Sequence, residues 1–175
     1  MGCAVKRTLM QRSEVRAGLT AGIAGGVSID VFLFAVQLAG GTPAGKLAEN
    51  FALIVAALLG PGAAANPAAV PIGILLHFCV AVGWALGYVY LVREQSQLLA
   101  RPWISGAGFG LIVFIFMQIM LILVPQDRRP MQAAIATQLV AHVVFYGIPV
   151  ALVVARLLGR SQSAEAVSAG SGRAG

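Results

Sequence analysis

An all-α fold is what this 175-residue sequence predicts, a polytopic membrane protein built as a four-helix transmembrane bundle with one additional short interfacial helix. Three observations carry that expectation. The chain is 59% hydrophobic and only 10% charged, with mean hydropathy +0.88, too little polar surface to cover a soluble domain of this length. Four segments, at 17–39, 70–92, 103–124 and 133–158, reach the roughly 20 apolar residues that a spanning helix needs. The Lys and Arg residues behind the net charge of +6 sit at the ends of those segments rather than on one face with interleaved aromatics, which argues against a nucleic-acid partner.

The first span, 17–39, follows a basic stretch at 1–16 with Lys6, Arg7, Arg12 and Arg16. That order resembles a signal peptide, but the apolar run is long and contains Asp30, so it reads as a retained signal-anchor. Gly2-Cys3 is no myristoylation site, because Lys6 stands where that pattern needs Ser or Thr. After the span, Thr42-Pro43 starts and Gly60-Pro61 stops a stretch with Leu47, Phe51, Ile54, Val55 and Leu58 at helical spacing. Its apolar part is too short to cross, so 43–59 is expected as a helix at the outer interface, dipping into the bundle mouth or merely capping it.

Pro71 and Pro102 stand at the starts of the second and third spans, where a missing backbone donor costs little, and Pro125 closes the third. Pro149 lies inside the fourth and predicts a bend there. Beyond it, 159–175 is small, polar and Gly/Ser-rich, and is expected to be a disordered cytoplasmic tail. Nine Lys and Arg fall on the side of both termini and three, Lys46, Arg128 and Arg129, on the other. By the positive-inside rule, both termini are cytoplasmic.

Glycine supplies the packing pattern. Gly18, Gly22 and Gly26, then Gly83 and Gly87, then Gly106 and Gly110 repeat every four residues, the GxxxG spacing that lets helix backbones come close in lipid. Whether these stripes meet within one chain or between copies stays open. The partners implied are the lipid bilayer and, through the stripes, a homo-oligomer or another membrane protein. Cys79, inside the second span, reads as a small core residue.

Chemistry must come from polar residues inside the membrane. At 1.5 Å per residue, Asp30, His77, Gln118 and His142 each lie roughly 9–13 Å below the outer end of their helix, which places one polar side chain per helix in a single layer. An ionised aspartate near mid-bilayer costs about 3 kcal/mol, so Asp30 should face inward and hold a partner. A histidine is the natural one, and Tyr146, one turn beyond His142, can join the network. His77, Trp84 and Tyr88 share one helical face. Three readings remain open: a purely structural hydrogen-bond network, a proton or small-solute pathway, and a bis-histidine haem or metal site on His77 and His142. No Walker loop, H-E-x-x-H or activated nucleophile is present, so no enzyme, no catalytic residue and no cofactor is expected.

IAGGVS in the first span, the spacing from His77 to Gly87-Tyr88, a glycine-led third span ending in proline, and AHVVFYG at His142 resemble the YagU-type bacterial inner-membrane proteins. That resemblance implies a small multi-helix inner-membrane protein of unknown activity, loosely linked to acid tolerance, with His77, Tyr88 and His142 as matching positions. Asp30 has no counterpart in it, and the connection between the first two spans differs in kind.

Overall fold

The computed structural model describes residues 10–123 and 134–171, with side chains described to residue 159. Its helices are α1 (Arg12–Ala39), α2 (Glu49–Leu59), α3 (Ala69–Val92), α4 (Ser96–Ala100), α5 (Pro102–Leu123), α6 (Ile135–Val140) and α7 (Ile148–Ser171). A π-helical segment, Ala141–Gly147, joins α6 to α7 without a break. Among the described residues, four helices are long and apolar enough to cross a membrane: Arg12–Ala39, Ala69–Val92, Pro102–Leu123 and Ile135–Gly159. The architecture is that of an all-α polytopic membrane protein, as the composition predicts.

Local chemistry explains most element ends. The Gln11 backbone N–H donates to the Glu14 carboxylate at 2.7 Å, which caps α1 one turn inside the chain's basic stretch. α1 stops at Gly40, and Gly41 takes a positive φ of 86° that turns the chain toward α2. Pro43 precedes a single 3-10 turn at Ala44–Lys46, and the α-helix proper starts only at Glu49. α2 ends at Gly60, φ 103°, followed by Pro61. The Asn66 side chain accepts from the Ala68 N–H at 2.8 Å and starts α3, with Pro71 in its first turn. Pro102 is the first residue of α5.

The bundle is small inside and large outside. Ala17, Gly18, Ala21, Gly22, Gly25 and Gly26 form the buried face of α1, whereas Leu19, Ile23, Val27 and Val31 point outward. A soluble bundle does the reverse; in lipid, helix contact comes from close backbone approach. A Cβ added at Gly18, Gly22 or Gly26 would strike Leu86, Val82 or Phe78 of α3, and one at Gly25 would strike Val150 and Tyr146. On the far side, Gly106 and Gly110 of α5 interlock with Gly147 and the His142 backbone. These two stripes therefore meet within one chain. α1 thus sits between α3 and α7, α7 and the π segment sit against α5, and aromatic side chains close the ring between α3 and α5. Trp84 meets Phe109 and Phe116, with ring centroids 6.4 and 5.0 Å apart. Tyr88 meets Phe109 at 4.8 Å and exchanges a 2.8 Å hydrogen bond with Ser105.

Several expectations change. Gly83 and Gly87 face open space, because α3 presents to α1 the face that carries Phe78, Ala81 and Val82. Cys79 is exposed on that outward side rather than in the core, since it sits four residues before Gly83 on the same stripe. The distortion expected at Pro149 lies in the preceding turns, where the wider π geometry accommodates a ring that cannot continue an α-helical ladder. Helical backbone continues to Ser171, past the point where the tail was expected to leave the bundle; alanine, glutamine and glutamate favour helix, and no proline interrupts them. The connection 124–133, with Pro125, Arg128 and Arg129, lies outside the described residues.

Candidate functional site

At the end of the bundle where α2 lies, the helices part around a half-open cavity of about 260 Å³. Asp30 reaches it from α1, His77 from α3 and His142 from the π segment. Asp30 Oδ1 and His77 Nε2 are 3.2 Å apart, with the side chains 16% and 23% exposed. The approach is charge-to-ring rather than a directed hydrogen bond, so Nε2 is buried without a hydrogen-bond partner. The His77 ring is further held edge-on by Phe51 at 5.7 Å and Phe78 at 5.2 Å.

His142 is oriented from within its own helix. Its Nδ1 lies 2.7 Å from the Gln138 carbonyl one turn earlier. A carbonyl can only accept, so Nδ1 carries the proton and Nε2 is the ring's free acceptor while the imidazole is neutral. Gln138 itself lines the cavity. A smaller cavity of about 60 Å³ adjoins, sharing Ile29, His77, Met117 and His142 with the first and adding Trp84 and Tyr146. There the Tyr146 hydroxyl donates to the Ala81 carbonyl of α3 at 2.5 Å. Tyr146 therefore ties the π segment to α3 and marks the floor of the polar region.

The roof is α2. The Asn50 amide donates to Gln37 Oε1 at 2.9 Å and to the Leu47 carbonyl at 2.8 Å, joining α2 to the last turns of α1. Phe51 packs edge-on to Phe34 at 6.0 Å. Gly73 of α3 lies so close to the Phe51 backbone that any Cβ there would displace α2. The helix is thus seated in the mouth of the bundle and lines the cavity.

Of the predicted layer, Asp30, His77 and His142 come together, and Tyr146 lies directly below them. Gln118 is not among the residues lining either cavity; its neighbour Met117 takes that place on α5. Gln37, Asn50 and Gln138 line the cavity and were not singled out. Two of them had a signal: Gln37 follows Asp30 by seven residues and Gln138 precedes His142 by four, each on the same helical face. Among the described residues, no three of His, Cys, Asp and Glu converge as a metal-ligand set.

At the opposite end the centre of the bundle is packed shut, and the hollows there lie at its rim, beside α4 with the start of α5 and beside Arg16 with Leu157. Tyr88, Val89, Val92, Val150, Ala151 and Val154 are buried to within 3%. Beyond them Arg93 pairs with Glu14 at 3.5 Å, fastening the end of α3 to the start of α1.

Fold and site together define a four-span helical membrane protein with a polar, acid-bearing cavity at one end. The chain belongs to the family of unknown function DUF6789, whose pattern it matches over residues 12–165. Nothing in the comparisons connects it to the YagU-type proteins. No curated protein and no solved structure matches it.

Proposed function

We propose that this is a non-catalytic multi-pass protein of a bacterial inner membrane, with both termini cytoplasmic, that binds protons from the outer side at the Asp30–His77 pair. The observation that carries this reading is the 3.2 Å approach of Asp30 to His77 inside a cavity shared with a second histidine. Intramembrane ionisable groups are costly and mark ion or proton handling, and histidine changes charge between pH 5 and 8. The nine-to-three distribution of Lys and Arg supports placing the cavity on the outer side. The lipid bilayer is then the obligatory partner, and a homo-oligomer through the outward face of α3 is compatible with the reading.

Trp84 lines the adjoining cavity and serves as a reporter once the exposed Trp103 is replaced by Phe. Its emission in nanodiscs is expected to change between pH 5 and 8, and the change to disappear in both Asp30→Asn and His77→Ala. An emission that responds to pH equally in wild type and both variants would remove the reading.

A second reading, a proton-coupled transporter, is favoured by the π segment at cavity depth, since π turns inside α-helices are frequent at functional sites. Proteoliposomes carrying an internal pH dye discriminate the two: binding alone gives no sustained flux.

A further inference from the structure

The larger cavity has the wrong walls for a site that only exchanges protons with water. Among the described residues Asp30 is the one acid on it, and no described Lys or Arg lines it. Around the carboxylate stand Ile29, Leu33, Phe34, Phe51 and Met117. The two phenylalanines meet edge to face, at 86° between ring planes, and make an aromatic corner where the α1 wall that carries Asp30 meets the α2 roof. A carboxylate beside aromatic surface attracts a cation that gives up its water easily.

The oxygen inventory separates the classes of cation. A bare metal ion needs about six oxygen ligands to replace its hydration shell. Among the described residues, side-chain oxygens come from Asp30, Gln37, Asn50 and Gln138, and Gln37 Oε1 already accepts from Asn50. The Gln138 backbone oxygen is taken by His142. An alkylammonium asks for far less, because its methyl or methylene groups suit the apolar walls. At about 260 Å³ the cavity falls below the roughly 300–1,000 Å³ of sites for drug-sized ligands, so the guest is small.

Resting on the proton-binding reading above, we propose that this cavity binds a small alkylammonium cation, quaternary or a protonated amine, in competition with protons at Asp30 and His77. Among the described residues, the titratable groups that face the cavity are Asp30 of α1, His77 of α3 and His142 of the π segment; α2 and α5 bring Asn50, Phe51 and Met117, none of which titrates. With both histidines neutral, the Asp30 carboxylate is the uncompensated charge and the cation binds. A proton on His77, 3.2 Å away, supplies that positive charge instead and expels the cation. Phe51 and Asn50 of α2 cover the guest, and the Asn50 to Gln37 hydrogen bond fastens the cover.

The test is binding of tetramethylammonium to the full chain in nanodiscs, read by Trp84 emission and by calorimetry, with potassium and tert-butanol as the inorganic and neutral counterparts. Saturable binding of tetramethylammonium is expected at pH 8, weakened at least about tenfold at pH 5, with no saturation by the other two. Asp30→Asn is expected to lose at least about tenfold in affinity, and Asp30→Glu to keep most of it, which guards against a folding defect. Equal binding of potassium, equal binding of tert-butanol, or undiminished binding in a folded Asp30→Asn would each overturn the proposal. If tetramethylammonium fails to saturate while the Asp30-dependent pH response of Trp84 persists, the cation assignment falls and proton binding stands; loss of that pH response in the wild type is what removes proton binding.

Discussion

The two halves of the bundle are made from the same helices and behave as different materials. In the half nearer the termini, Ala17, Ala21, Ala85, Val89, Val150, Ala151 and Val154 are completely buried, and glycines bring backbones into contact. In the α2 half, the helices diverge around Asp30, His77 and His142 and leave room that a separate short helix covers. Close backbone packing transmits no charge and admits no guest; it holds the frame. The open half contributes less to cohesion and carries every ionisable group on the cavity. The comparison teaches that stability and chemistry are separated along the membrane normal, with Tyr146 at the border.

The sharpest way to break this division is to overfill the packed interface. Gly110→Val places side-chain atoms against the His142 carbonyl and Val143, where backbone must move. A loss of about 2–4 kcal/mol is expected, read as a lowered thermal midpoint in detergent. At the border, Tyr146→Phe removes the hydroxyl that donates to Ala81 and leaves the ring in place. Its expected cost is about 1 kcal/mol by the same melt. If the change were larger than that of Gly110→Val, the polar floor rather than the glycine contact would hold the frame.

In the open half, Asp30→Asn is expected to change stability by less than about 1 kcal/mol, because the amide fills the same space and the lost attraction to His77 is offset by relief from desolvating a carboxylate. Its signature is the lost pH response of Trp84, measured on protein whose melt is normal. The smallest effects belong to the outward face of α3. Gly83→Ala and Gly87→Ala meet nothing within 4 Å and should stay within about 0.5 kcal/mol of wild type. A larger fall, or a change in particle mass by light scattering, would mean that a second chain covers that face.

The spans were legible because hydropathy integrates over some twenty residues, and errors at single positions average out. Their ends moved, at α1 because capping by Glu14 starts the helix at Arg12 rather than at residue 17, and further at α7, where helical backbone runs to Ser171 rather than stopping at residue 158. Depth was legible too, since the rise per residue is fixed, and it brought Asp30, His77 and His142 to one level. Azimuth was not. Gln118 has the right depth, yet Met117 lines the cavity, because which face of α5 turns inward is decided by Gly106 and Gly110 meeting the π segment. Cys79 failed for the same reason on α3. The contribution of α2 was illegible in detail, since the seating of Phe51 and Asn50 depends on two glycine turns and on Gly73 far along the chain.

The π segment at Ala141–Gly147 has a consequence for how this chain can change length. A π turn is equivalent to one residue inserted into an α-helix. Deleting one residue there would restore regular α-helical geometry and leave everything beyond it in register with everything before, because the wide turn already absorbs the extra residue; the same deletion in a regular α-helix would rotate the remainder by about 100°. His142 and Tyr146 lie on that stretch, and Val150 and Val154 on the next turns, so a one-residue gap would disturb the cavity side chains and spare the sealing valines. Along the fourth span, this stretch is therefore where one residue can be lost with least disturbance to the packed half.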